Sequence, residues 1–395
     1  MDDMSLKEEM YAHLDKFYAC DEFARKLVLE DFNNDDEETI QSGSLMEGAF
    51  LVPLMIPVED KNYDLDVMCV IGEFSKEQAN LSLMETEYPG YYLINTEYEF
   101  IKEICEDNPA TKAFLMGEGT IKDMFPNDND DFNFHHNMES EHGCPAGTTN
   151  LSDIIGEEQK EGEHEKKEID QLLTNILMGA KIDMVLCLRM DFWSIITEEW
   201  FIRDRYFPDL ETVCEIREVG CTLVRKAIGD EKNTWRLSFS EAEAILALKQ
   251  SPFQKKSYLL AKLIFTLESN GLIDDKSERK LSSYILKTVH LFVLENTPKE
   301  ELEKLEQTKD YLKLVFIIFE RLLDALKVGY LSCYFVLEMN LLHGFGQVFL
   351  DNIAYRFDNL FKCDTFIEKM VDNFKRNRIF DFFSEEVLKE ISSSS

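Results

Sequence analysis

Long apolar runs are missing from this sequence. The greasiest stretch, Leu314 to Phe319, is bracketed by Lys313 and Glu320, far short of the roughly 20 residues that a membrane-spanning helix needs. Basic charge is scarce as well: 42 Lys and Arg stand against 77 Asp and Glu, for a formal net charge of -35. A field of that sign repels phosphate backbones at long range, so a nucleic acid binds only where cations cluster locally. The first residues, Met1-Asp2-Asp3, are acidic where a secretory signal carries a basic region followed by an apolar one. A disulfide framework is not apparent either, since nine cysteines, an odd number, lie scattered at 20, 69, 105, 144, 187, 214, 221, 333 and 363. No internal repeat is evident. These absences predict a protein without membrane spans, with reduced thiols, working in the cytoplasm.

What is present suffices to bury a core: 395 residues, 45% hydrophobic and 12% aromatic, fit one large or two medium domains. Met10, Leu14, Phe17, Phe23, Leu27 and Leu29 recur at mostly helical spacing and predict a long amphipathic helix over the first thirty residues. Ala49 to Glu73 turns β-branched and aliphatic, with a turn at Asp60-Lys61-Asn62, and reads as two antiparallel strands. Residues 117 to 170 are polar, acidic and poor in aliphatic anchors, which predicts loops or a disordered insertion at about 120–170. Ile182 to Leu188 returns to a strand pattern, and from Phe239 onward apolar residues recur at three and four. The reading is an α+β, bilobal chain. A mixed-sheet lobe with an N-terminal spine helix spans 1–230 and an all-helical lobe spans 231–395, with the ligand site in the cleft between them.

Asp64-Leu65-Asp66 lies in the second of those strands, where alternate side chains share a face, so the two carboxylates line one surface about 7 Å apart. Asp183 lies in Lys181-Ile182-Asp183-Met184-Val185-Leu186, where a buried ionised group needs a partner or a cation. Three such acids on adjacent strands suit two Mg²⁺ (or Mn²⁺) ions about 4 Å apart, which is equipment for phosphoryl transfer. Upstream, Gly43-Ser44 forms a glycine turn that lets backbone N–H groups approach a triphosphate, with Ser44 as a donor. Taken singly, an Asp-x-Asp pair in so acidic a chain, or a Gly-Ser turn, is more often incidental; together they define a candidate site.

The second half carries longer motifs: Thr234-Trp235-Arg236-Leu237-Ser238-Phe239-Ser240-Glu241-Ala242-Glu243, then Leu281-Ser282-Ser283-Tyr284-Ile285-Leu286-Lys287-Thr288, then Tyr334-Phe335 with Asn340-Leu341-Leu342. From Ser42 to about Leu342 the chain resembles the cyclic GMP-AMP synthase-like receptors and the related male-abnormal developmental proteins. The resemblance implies a nucleotidyltransferase fold with Asp64, Asp66 and Asp183 as catalytic and metal-binding acids, Asp183 being the general base. It implies a nucleotide pocket of Gly43, Ser44, Arg236, Ser238, Glu243, Lys262, Ser283 and Tyr284, with Lys262 and Ser283 on the triphosphate and Tyr284 stacked on a base. From the residues alone, Ser282 or Ser283 is equally a helix cap, Tyr284 a core residue and Lys262 a solvated charge. Vertebrate synthases carry a His and Cys zinc ribbon after the Trp-Arg-Leu-Ser-Phe motif; Ala244 to Lys262 has neither residue, so no structural zinc is expected there.

The resemblance further implies a synthase of innate immune sensing. It would act as a pattern recognition receptor, joining ATP, GTP or other nucleoside triphosphates into a cyclic GMP-AMP-like messenger. The activator would be double-stranded RNA, held by a basic face with Lys255, Lys256 and Lys280. Two other readings stand beside it: a catalytically silent nucleotide-binding scaffold of the developmental branch, and a template-independent RNA nucleotidyltransferase.

Overall fold

In the computed structural model the described residues are 3–32, 39–55, 63–95, 97–98, 115, 146–150, 180–229, 231, 233–275, 277, 279–376, 383 and 385–394. The first helix, α1 (Asp3–Phe32), buries Met10, Leu14, Phe17, Ala24 and Val28 completely. Their spacing of three and four puts them on one face, and position 21 of that same face holds an aspartate. The stripe packs into the helical core instead of the sheet, against residues such as Leu259, Leu263 and Phe374. Each fully buried side chain of this size contributes about 1.5–3 kcal/mol. Phe23, Leu27 and Leu29, expected on this stripe, sit at its margin and are only partly buried.

One eight-stranded mixed sheet forms the other lobe. Its order is β1 (Thr39–Ser42), β2 (Tyr63–Phe74), β6 (Ala180–Met190), β7 (Cys221–Arg225), β8 (Trp235–Ser238), β4 (Tyr91–Ile94) and β3 (Leu83–Glu85). Strand β5 (Ala146–Asn150) pairs with the first half of β6, and β7 pairs with the second half. The β2–β6 pair is parallel and all others are antiparallel. Among the described residues of the segment expected to hold two strands, only Tyr63 onward is strand, and the expected turn at Asp60-Lys61-Asn62 lies outside the described residues. Val52–Met55 is a single 3-10 turn, since Pro53 fixes φ and offers no N–H to a ladder. The antiparallel partner of β2 is instead β1, just before the Gly-Ser pair. β5 falls inside the stretch expected to be loop; the rest of 117–170 lies outside the described residues. The sheet also takes in Trp235–Ser238, past position 230.

Short helices edge the sheet: α2 (Gly43–Glu47), α3 (Lys76–Ser82), α4 (Glu198–Ile202) and α5 (Leu210–Val219). Then follow α6 (Ser240–Leu248), α7 (Pro252–Ser269), α8 (Ser283–Asn296), α9 (Lys299–Gln307), α10 (Tyr311–Val328), α11 (Gln347–Phe361), α12 (Phe366–Arg376) and α13 (Glu385–Ser394). Helix α7 begins with proline at its first position and a capping box between Ser251 and Gln254, which satisfies donors the helix leaves unpaired. Between α10 and α11 the chain is not helical. Asn340 holds it there, accepting the N–H groups of Leu331 and Leu342 and donating to Gly329 O. A stack of Trp193, Trp200, Phe239 and Phe335 cements this segment to the sheet lobe. No helix among the described residues is long and apolar enough to cross a membrane.

Candidate active site

Strand β1 must hand the chain to α2 within one residue, and Gly43 does this at φ +67°, in the left-handed region. A Cβ there would lie 2.6 Å from Asp66 Cγ and overlap one carboxylate oxygen outright. Glycine is therefore required twice, for the turn and for the close approach of Asp66. Ser42 is paired with Asp66 in the ladder, and its hydroxyl donates to Asp66 O at 3.3 Å.

Asp66 and Asp183 are direct partners in the parallel β2–β6 ladder. Register partners on adjacent strands, about 4.8 Å apart, share a face. Further along, that face carries the buried cluster Ile40, Met68, Cys187 and Val224, so the acids mark its open end. Asp183 is half-buried, where the sequence pointed to burial, and Asp66 is likewise partly exposed. The difference follows from its place near the start of β6, before the fully buried run Leu186-Cys187-Leu188. Asp64 lies in β2 in register with Lys181; its side chain is outside the described residues.

Beside Asp66 opens a cleft of about 380 Å³ between the lobes, and Asp183 is not among the residues that line it. Gly43, Ser44, Glu47 and Asp66 line one side; Arg236, Ser238, Ser240, Glu243, Ser283, Tyr284 and Lys287 line the other. Arg236 and Ser238 project from β8, which ties them rigidly to the sheet. Ser282 is the cap of α8, accepting Tyr284 N–H at 3.2 Å, while Ser283 takes the first helical position and lines the cleft. Of the expected nucleotide residues, all but Lys262 line this one cavity.

Lys262 is buried behind it. Its Nζ donates to Ser44 Oγ at 2.6 Å, and burial holds its pKa below the ordinary lysine value. Two further charged residues, not among those expected, complete the floor. Lys287 Nζ donates at 2.7 Å to both Glu47 Oε1 and Glu243 Oε2, and Tyr284 OH donates to Glu243 Oε1 at 2.9 Å. Burial by itself would lower the Lys287 pKa, but the two carboxylates outweigh it and hold the ammonium charged. Burial likewise works against Glu47 as a carboxylate, yet Lys287 and Lys262 keep its pKa below the usual range. Burial and Glu243 push the Tyr284 hydroxyl well above 10, so it remains a donor. Lys287 stands one turn after Ser283 on α8, and Glu47 one turn after Gly43-Ser44 on α2. Helical spacing from the motif residues was the signal available for both.

Asp21, on the apolar stripe of α1, reaches the same region from behind. It is fully buried and accepts Leu51 N–H at 2.6 Å, pinning the segment that follows α2. Burial pushes its pKa up to about 7 against the effect of that bond.

The expected activator-binding lysines do not form a strip of free charge. Lys256 is bound to Asp15 of α1 at 2.6 Å and lies over the Tyr18 ring, and burial lowers the pKa of half-buried Lys255. Lys280 is exposed. Lys375 is similarly paired, with Glu9 at 2.6 Å. Ammonium groups bound to carboxylates add little field outside the molecule, so double-stranded RNA finds no support at this face.

Comparison with known families adds two matches. A model described as the Mab-21 protein nucleotidyltransferase domain matches residues 120–249, and one described as the Mab-21 protein HhH/H2TH-like domain matches residues 258–359. The first takes in Asp183 and the β8–α6 motif, and the second takes in α8 with Ser283, Tyr284 and Lys287.

Proposed function

The chain belongs to the Mab-21 family of nucleotidyltransferase-fold proteins, and from that premise we propose that its cleft joins two nucleoside triphosphates into a cyclic dinucleotide of the cyclic GMP-AMP kind. The observation that carries the proposal is the register of Asp66 with Asp183, Asp66 itself lining a cavity whose walls also bear Arg236, Ser238 and Tyr284. Nucleotidyltransferase domains use divalent metals, and the donor set here fits one. Two carboxylates share a face, and that of Asp66 is lodged in the space a Cβ on Gly43 would fill. Asp66 and Asp183, with Asp64 as the third expected ligand, would hold Mg²⁺ or Mn²⁺; when bound, such ions acidify an attacking hydroxyl and neutralise charge on departing pyrophosphate.

The protein's own groups supply the rest. Asp183 accepts the proton from the ribose hydroxyl that attacks the α-phosphate of the other nucleotide. Ser44 donates to the triphosphate, oriented by Lys262 from behind, so that Lys262 acts on Ser44 instead of reaching phosphate itself. Arg236 offers a planar fork to a base or phosphate, Ser238 and Glu243 meet base edges, and Tyr284 presents its ring for stacking. A second transfer in the same cleft closes the ring. The product serves as a second messenger of innate immune sensing.

Purified protein with Mg²⁺ or Mn²⁺, all four triphosphates and a broad activator panel should yield a cyclic dinucleotide by mass spectrometry. Asp66→Asn and Asp183→Asn should each abolish it. Thermal stabilisation by triphosphates without product under any condition would overturn the proposal in favour of a silent nucleotide-binding scaffold. Long products would indicate an RNA-tailing enzyme instead.

A further inference from the structure

Behind the cleft, the segment after α4 buries a group of hydrogen-bond donors that no acceptor among the described residues meets. Arg203 donates through Nη2 to Glu295 Oε2 at 2.7 Å and to Tyr334 O at 3.1 Å, while its Nε and Nη1 are buried without a partner. Arg205 donates through Nε to the Arg203 carbonyl at 3.0 Å, and its Nη1 and Nη2 are buried without a partner. The Arg205 guanidinium sits 4.3 Å from the centre of the Trp200 ring. Trp200 is 1% exposed, and its Nε1 is another buried donor without an acceptor. The Arg203 guanidinium lies over the rings of Tyr334 and Phe292, and the Trp200 and Tyr334 rings are 6.0 Å apart. The donors therefore occupy a single aromatic box.

Its charge does not balance. Among the described residues two guanidinium groups face one buried carboxylate, Glu295, and Tyr334 is no counter-ion because burial and Glu295 keep its hydroxyl protonated. Asp204, between the two arginines, is exposed. Ring faces offset part of the cost by cation–π attraction, but in-plane N–H groups still require acceptors, and an unpaired buried charge is expensive. Water serves such a place poorly, because each water that accepts from these donors must find acceptors for its own hydrogens. An anion accepts only, and it supplies the missing charge.

We infer that this box binds a small inorganic anion, chloride or a phosphate-sized oxyanion, against the guanidinium edges of Arg203 and Arg205. The site is separate from the transfer cleft but touches its wall. Arg203 holds Tyr334 O, and the adjacent Cys333 lines the cleft. The bound anion thus braces the segment between α10 and α11.

The test is thermal unfolding of the full chain while sodium chloride or sodium phosphate replaces sodium gluconate, a bulky anion, at constant ionic strength. The melting temperature should rise with the logarithm of chloride or phosphate concentration, as a site occupied only in the folded state requires. Which salt acts at the lower concentration identifies the anion. Arg205→Met should abolish the response, and Arg205→Lys, which keeps the charge but loses the fork, should shift its midpoint at least tenfold. Crystals soaked in bromide, or in selenate as the stand-in for an oxyanion, should show an anomalous peak between the two guanidinium groups, a readout that remains if Arg205→Met fails to fold. Equal salt responses in wild type and Arg205→Lys, or no anomalous peak, would overturn the assignment.

Discussion

Replacing Lys287 by Met would leave Glu47 and Glu243 without the ammonium that lies 2.7 Å from each. The three side chains are only 10%, 11% and 9% exposed, so water cannot take over the role of the cation. Removing one member of a buried ion pair costs about 3–5 kcal/mol, because the partner charge stays behind unmatched. The residual exposure of these side chains favours the lower end, about 3 kcal/mol or roughly a hundredfold in the folding equilibrium. The sign with pH follows from the shifts. In the wild type, Glu47 has a depressed pKa, so its contribution is present above the unfolded carboxylate value near 4.3 and is lost only as pH falls through the lower folded value. Lys287 has a raised pKa, and its contribution is lost only as pH rises through that higher folded value. In Lys287→Met only Lys262 and the Tyr258 hydroxyl still offset the burial of Glu47, and protonation of the orphaned acid relieves the penalty in acid. Urea unfolding at pH 7 and pH 5 should therefore show the variant about 3 kcal/mol less stable at pH 7 and closer to wild type at pH 5. Adding Glu47→Gln and Glu243→Gln should recover most of the loss, since polar partners removed together leave no orphan charge. A variant within 1 kcal/mol of wild type at pH 7, or a penalty that ignores pH, would refute the electrostatic account.

Gly43→Ala should lower stability by about 1–2 kcal/mol for its left-handed backbone and should also displace Asp66, cutting nucleotidyl transfer at least tenfold. Gly271→Ala is the control, because Gly271 has φ +75° with nothing within 4 Å of a Cβ; equal effects on transfer would show that the contact with Asp66 is irrelevant. Asp21, with its pKa pushed to about 7, makes folding less favourable as pH rises from about 4 to about 7. His290 is fully buried, burial lowers its pKa to about 3, and it acts oppositely, since its contribution is lost as pH falls from about 6.5 toward 3. The two slopes offset each other in one window. Asp21→Asn should make urea-measured stability climb with pH there by up to about 1.4 kcal/mol per unit more than wild type; an unchanged slope would show that Asp21 is ionised or absent from the linkage.

Much of the site was legible because its signals are local. A left-handed turn selects glycine, a strand alternates its faces, and a helix cap selects serine, so Gly43, Asp66 and the Ser282-Ser283 pair announce themselves within a few residues. Glu47 and Lys287 do not, since each is one acid or base among many until α2 and α8 are brought together across the cleft. Lys262 shows the converse. A lysine inside Leu259-Leu260-Ala261-Lys262-Leu263 looks like either a phosphate ligand or a solvated charge, and its actual place behind Ser44 depends on how α7 packs against α2. The strand misread at Val52–Met55 had the right apolar composition, but Pro53 and the contact of Leu51 with Asp21 favour a turn there.

The sequence by itself determined the class of the protein: an acidic chain with a β-rich first part, a helical second part, strand-borne aspartates and the nucleotide motifs. These depend on period, composition and near neighbours, which a linear chain carries in full. Only the tertiary structure decided which acids are neighbours, with Asp66 and Asp183 joined across 117 positions by one parallel register. It also decided that Lys256, expected to face an activator, is bound to an acid of α1, and that guanidinium nitrogens of Arg203 and Arg205 are buried without enough acceptors among the described residues. Pairing of charges over long separations is a property of packing, and no local pattern of residue types encodes it.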